Sequence, residues 1–145
     1  MDLLEEQSIE LSCSKLCNQF AIFNDSGLYE QLAALFVEVG RYARPTDPEN
    51  FVKGRVAILA AFMSRPQDKV TRHLITNTVI DVTGSTTAKG ICYITLYSGS
   101  TTNPAEKFGF RANTSQLIGE YSDDFVLTES GWRFSQRSGR LLFTT

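Results

Sequence analysis

The spacing of apolar residues changes once along this chain, and that change constrains the fold more than any other feature. Between Ser8 and Asn24, the residues Ile9, Cys13, Leu16, Cys17, Phe20 and Ala21 recur three and four apart, the stripe of an amphipathic helix. After Asp68 the chain reads as extended: Val, Ile, Thr, Tyr and Phe dominate, and turn residues fall at intervals. Helices gathered at the start and strands at the end describe an α+β domain.

The segments between follow from local signals. Asp25-Ser26-Gly27 punctuates the chain, and Leu28 to Phe36 predicts a second, shorter helix with Leu28, Leu32, Leu35 and Phe36 as its apolar set. Val37 to Arg44 predicts a short strand and Pro45-Thr46-Asp47-Pro48 a loop. A third helix is expected from Asn50 or Lys53 to Ser64, ended by Arg65-Pro66. Four long strands are expected near Val70 to Val82, Thr87 to Tyr97, Ser115 to Thr128 and Trp132 to Thr144. Their connections are Thr83-Gly84-Ser85, the long polar loop Ser98 to Lys107, and Glu129-Ser130-Gly131. Strands joined by short turns pair antiparallel. No internal repeat or composition break divides the chain, so one domain over residues 1–145 is expected.

Composition excludes several function classes. A hydrophobic fraction of 42% with 21% charged residues is that of a self-sufficient globular core. The net charge is -2 and no run of Lys or Arg forms a stripe, so nucleic acid is not an expected partner. The segment Met1 to Glu10 lacks a basic start followed by an apolar run, and no apolar stretch reaches membrane-spanning length; a cytoplasmic protein without a membrane partner is expected. Cys13, Cys17 and Cys92 are odd in number and lack CxxC spacing, which argues against disulfides and a zinc site. They read as reduced, buried small hydrophobes, and no metal is expected.

Four segments stand in a recognisable order. Ala21-Ile22-Phe23-Asn24-Asp25-Ser26-Gly27-Leu28-Tyr29 precedes Leu32-Ala33-Ala34-Leu35-Phe36; Arg72-His73-Leu74-Ile75-Thr76-Asn77 follows; Gly119-Glu120-Tyr121-Ser122-Asp123 and Gly131-Trp132-Arg133-Phe134 close the chain. Together they resemble the SnoaL-like family of the NTF2-like superfamily. The resemblance implies a cystatin-like cone, in which N-terminal helices pack on a strongly curved, mostly antiparallel sheet. It also implies a homodimer or trimer. The family includes scytalone dehydratase, hexachlorocyclohexane dehydrochlorinase, polyketide cyclases and the small subunits of ring-hydroxylating dioxygenases, so fold alone predicts reaction poorly.

Several catalytic members share an Asp and His pair, and the matching positions here are Asp25 and His73. Imidazole, with a reference pKa of roughly 6.5, takes a proton near neutral pH. A carboxylate on one ring nitrogen fixes the tautomer and stabilises the imidazolium that forms. Strand alternation places Thr71, His73, Ile75, Asn77 and Val79 on one face, with Asn77 about 13 Å from His73 and able to bind a distant substrate group. Phe20, Phe62 and Tyr29 are expected to line an apolar pocket, with Tyr93 and Tyr121 as candidate proton donors. The implied activity is that of a lyase, dehydratase or isomerase, needing no cofactor and acting on a small apolar cyclic or polyketide-like molecule. The same pocket would serve a hydrolase.

Plainer readings stand beside these. A lone strand histidine is more often structural than catalytic, and Asp25 could simply cap the second helix. Arg111, Arg133 and Arg137 read as solvated strand positions, Trp132 and Phe134 as packing. The dehydrochlorinase has a Lys where Phe20 stands and an Arg near Leu127, so its groups suited to a leaving chloride are unmatched. Scytalone dehydratase has a Tyr where Asn24 stands and a second pocket histidine that finds no counterpart. The alternative function is a non-catalytic module of the same fold that binds a ligand or assembles with other subunits.

Overall fold

The computed structural model describes residues 1–104 and 108–145. Helix α1 runs from Leu3–Asp25, longer at its start than the apolar stripe predicts. Its first turn is held by a capping box rather than by packing. Asp2 accepts from the Glu5 backbone N–H at 2.9 Å, and Glu5 accepts from the Asp2 N–H at 3.1 Å. The stripe from Ile9 to Asn24 faces inward as expected. None of the helices described is long and apolar enough to cross a membrane.

Helix α2, Tyr29–Ala33, is shorter than expected because Phe36 opens strand β1, Phe36–Ala43. There Phe36 lies opposite Phe134, and the Phe134 N–H donates to the Leu35 carbonyl at 2.8 Å. The short strand β2, Val52–Lys53, pairs with β1 and was not foreseen. Gly54, at φ 93, then turns the chain into α3, Arg55–Met63. Strands β3 (Lys69–Val82), β4 (Thr87–Pro104), β5 (Phe110–Ala112), β6 (Leu117–Thr128) and β7 (Gly131–Thr144) complete the sheet. The expected loop at Ser98 is instead a continuation of β4, because β5 folds back to pair with it; residues 105–107 of that loop fall outside the described residues.

The sheet order is β2-β1-β7-β6-β4-β3, with β5 on β4. Pairings are antiparallel except β1 with β7. A strand that closes the sheet must return after the helices, and β7 does so by lying parallel to β1. The helices pack on the inner face, around Phe20. Its ring meets those of Phe36, Tyr42, Phe62, Tyr121 and Phe134 at 5.5 to 6.2 Å between centroids. Each such pair contributes about 0.5–1.5 kcal/mol beyond burial. Cys13, Cys17 and Cys92 are all buried here with free thiols.

Strand β3 departs from plain alternation in a way that matters for the site. Thr76 pairs with Tyr93 but Val79 pairs with Ile91, so Asn77 and Thr78 together oppose Cys92. This is a β-bulge, and Asn77 adopts φ 53 within it. Thr71, His73 and Ile75 face the helices; beyond the bulge the inward set becomes Thr78, Ile80 and Val82. The shared face predicted from Thr71 to Val79 therefore ends at Ile75, and both Asn77 and Val79 are exposed.

Gly139 lets the segment after β1 close over the sheet. A Cβ there would sit 2.6 Å from Pro45 Cγ and 2.7 Å from Pro45 Cδ and N. Gly139→Ala is expected to destabilise the fold by about 1–3 kcal/mol through overpacking, read as a lower urea midpoint at unchanged slope; an unchanged midpoint would show that Pro45 moves freely.

Candidate active site

The last residue of α1, Asp25, and the second inward residue of the sheet's outermost long strand, His73, meet directly. The His73 Nδ1–H donates to Asp25 Oδ1 at 2.6 Å, the Thr71 hydroxyl donates to the same oxygen at 2.8 Å, and the His73 backbone N–H donates to Asp25 Oδ2 at 2.9 Å. Each oxygen of the carboxylate is thus committed to β3. Helix α2 receives no side-chain cap, so Asp25 is not its capping residue. The side chains of His73 and Asp25 are only 10% and 7% exposed.

Burial alone would raise the Asp25 carboxyl, but the imidazole, the His73 N–H and the Thr71 hydroxyl outweigh it and hold the group below its usual range. A depressed carboxylate stabilises the fold above its unfolded value near 3.8, and that contribution is lost as pH falls through the lower folded value. Asp25→Asn should therefore lose less stability than wild type between about pH 6 and about pH 2. Urea midpoints measured across that range test this, and parallel curves would remove the assigned contacts.

With Nδ1 donating to the carboxylate, Nε2 is left as an acceptor, and it has no protein partner among the described residues. His73 lines a cavity of about 130 Å³ with Ile94, Leu96, Leu117 and Leu141 as its apolar wall. Two phenols share the space: the Tyr42 and Tyr121 hydroxyls lie 3.2 Å apart. Burial raises both above the usual phenol value, so both keep their protons. One O–H serves the bond between them, and the other remains available to a ligand.

The expected site residues divide clearly. Phe62 and Tyr121 line the cavity with His73. Phe20 does not line it: at 1% exposure it sits beneath the floor, enclosed by its ring neighbours. Tyr29 stacks behind Phe62 at 5.8 Å rather than facing the cavity. Tyr93 points the other way, onto the outer sheet face beside exposed Leu74 and Ile91, because strand alternation turns it opposite the buried Cys92. Asn77 is carried out of the cavity by the bulge. Tyr42, Asn24, Arg44, Arg65 and Lys69 belong to the lining and were not singled out as site residues.

Arg137 overturns the expectation of a solvated strand position. It is fully buried, donating from Nε to Asp123 Oδ1 at 2.9 Å, with its guanidinium 3.8 Å over the Tyr121 ring and 4.5 Å over Phe20. Its Nη1 finds no hydrogen-bond partner. Cys17, Cys92 and Asp123 bring ligand-type atoms within 4.8 Å of one another, but the Arg137 guanidinium already holds the cationic place among them, 3.4 Å from Cys92 Sγ.

A search of curated protein sequences returns no significant match. Among solved structures, a protein of Novosphingobium aromaticivorans assigned as a scytalone dehydratase is 22% identical, with a TM-score of 0.81 over 97% of this chain and 89% of that one. A hexachlorocyclohexane dehydrochlorinase, LinA type 2, is 15% identical at a TM-score of 0.81, over 99% and 92%. An NTF2-like protein with a cystatin-like fold, also from N. aromaticivorans, is 25% identical at a TM-score of 0.71, over 96% and 84%. The profile of the SnoaL-like domain matches residues 5–138. With nearly its whole length matched and the cystatin-like cone in place, the chain belongs to the SnoaL-like domain family.

Proposed function

We propose that this protein is a cofactor-independent enzyme that removes a proton from a small cyclic molecule, as a lyase, dehydratase or isomerase. The observation that carries the reading is the 2.6 Å contact between His73 Nδ1 and Asp25 at the wall of a cavity with one aliphatic side. Two structural neighbours, a protein assigned as a scytalone dehydratase and a hexachlorocyclohexane dehydrochlorinase, lend support, since both reactions are eliminations.

The chemistry follows from the side chains. Nε2 takes a proton from carbon beside a carbonyl, and the C–H electron pair moves onto the carbonyl oxygen. Asp25 stabilises the imidazolium through Nδ1–H. The free O–H of the Tyr42 and Tyr121 pair donates to the oxygen that gains charge. The enolate then either expels a β-hydroxyl, which takes the proton from the His73 imidazolium and departs as water, or, where a second double bond extends it to a dienolate, takes that proton back at the γ carbon. Ile94, Leu96, Leu117 and Leu141 keep water from competing for the base.

A non-catalytic module would use Asp25 only to tie α1 to β3 through Thr71 and the His73 N–H; its further bond to the ring Nδ1, which leaves Nε2 toward the cavity, favours the enzyme. The test is a panel of monocyclic ketones and β-hydroxy ketones in D₂O, followed by NMR. Deuterium incorporation or loss of water above the buffer rate, absent in His73→Ala, supports the reading; rates equal in the two proteins reject it.

A further inference from the structure

Proton abstraction leaves one part of the cavity unexplained. Arg44 follows β1, Arg65 follows α3 and Lys69 opens β3, yet all three line the same cavity as His73. Among the described residues no carboxylate lines it. The nearest acids in sequence are engaged elsewhere: Asp68 accepts from Ser100, Asp47 from Asn50, and Asp25 from His73 and Thr71. Among the described residues Arg44, Arg65 and Lys69 enter no ion pair, and Arg65 donates to the neutral side-chain oxygen of Asn24.

This gathering runs against the protein's overall charge of -2. Like charges brought together from three elements repel, and among the described residues no carboxylate stands beside them in the lining. Partial desolvation, with Arg65 and Arg44 adding repulsion, pulls the Lys69 ammonium below its usual value. An anion arriving at this rim would relieve the repulsion and be drawn in by the focused field. The volume of the cavity sets the other half of the ligand. An apolar protein cavity of about 150 Å³ holds a single benzene ring, and this one measures about 130 Å³.

We infer that the natural ligand is a single-ring molecule bearing an anionic oxyacid group, its ring against Ile94, Leu96, Leu117 and Leu141 and its anion held by Arg44, Arg65 and Lys69. The inference rests on the cavity being the substrate site, as in the proposed function, and narrows the substrate from any small cyclic molecule to an amphiphilic one. Arg44, Arg65 and Lys69 act as specificity determinants, while His73 and Asp25 act on the ring end.

The test uses binding rather than turnover. His73 is the sole histidine in the sequence, so its ring resonances report one site in ¹⁵N-labelled protein. Benzoate, phenylacetate and phenyl phosphate are titrated beside benzyl alcohol and methyl phenylacetate. The anions should shift the His73 signals with about tenfold lower Kd than the neutral compounds at low ionic strength, and the difference should shrink as salt is added. Tighter binding of phenyl phosphate or of the carboxylates identifies the head group. Arg44 and Lys69 are exposed, so the double variant Arg44→Gln with Lys69→Gln should fold and should lose most of the preference. The idea is overturned if the neutral compounds bind as well as the anions, if no anion shifts His73 at millimolar concentration, or if the preference survives the double substitution. Because no reaction is needed, anion preference can stand while the His73→Ala rate test fails, and the reverse.

Discussion

Alanine in place of His73 is expected to lower kcat/KM on a processed substrate by about 10²- to 10⁴-fold, the usual contribution of a positioned general base. The loss should fall mainly on kcat, because the imidazole forms only one edge of a cavity that Phe62, Ile94, Leu96, Leu117, Tyr121 and Leu141 also line. Asp25→Asn should lose activity too. An amide at that position still accepts from the Thr71 hydroxyl, but it no longer offers a charged partner to Nδ1–H, so the imidazolium is less stabilised and the tautomer less firmly set. Pre-steady-state rates on both variants separate these effects from substrate binding. Wild-type turnover in His73→Ala would leave the Asp25 contact as a purely structural one.

The largest expected effect on stability comes from the buried pair behind the cavity floor. Asp123→Ala leaves the fully buried Arg137 guanidinium without its counter-charge, in a site where Nη1 already lacks a partner. Removing one member of such a pair costs about 3–5 kcal/mol. Against a total stability of about 5–15 kcal/mol, a fall in Tm of about 10 °C or more is expected by calorimetry. Replacing both residues, Asp123→Leu with Arg137→Met, should recover much of that loss, since the desolvation of the two charges disappears with them. A single variant that melts within a degree or two of wild type would mean that water reaches Arg137. The aromatic faces of Tyr121, Phe20 and Phe134 around the guanidinium make such entry costly.

The Asp123 and Arg137 pair also marks the limit of what could be read in advance. The two are direct cross-strand neighbours on β6 and β7, a relation that exists only once the hairpin register is known. Nothing in the local sequence around Arg137 distinguishes it from the half-buried Arg133. Helix α1, the strand-rich second half and the Asp25 and His73 pair were all legible, the last through the ordered motifs rather than through any single spacing. Tyr93 is different, because the information was present: a buried Cys92 implies an outward Tyr93 on the same strand. The cationic rim escaped notice because Arg44, Arg65 and Lys69 sit at the ends of separate elements, where each alone reads as a solvated charge.

The irregular step at Asn77 has one more implication. Without it, a straight β3 could present either the imidazole or Ile80 to the interior, never both, because the two are an odd number of positions apart. The extra residue acts as a parity switch: it lets a single continuous strand supply chemistry to one end of the cone and ballast to the other. Residue count between His73 and Ile80, more than residue identity, is therefore what this stretch must preserve.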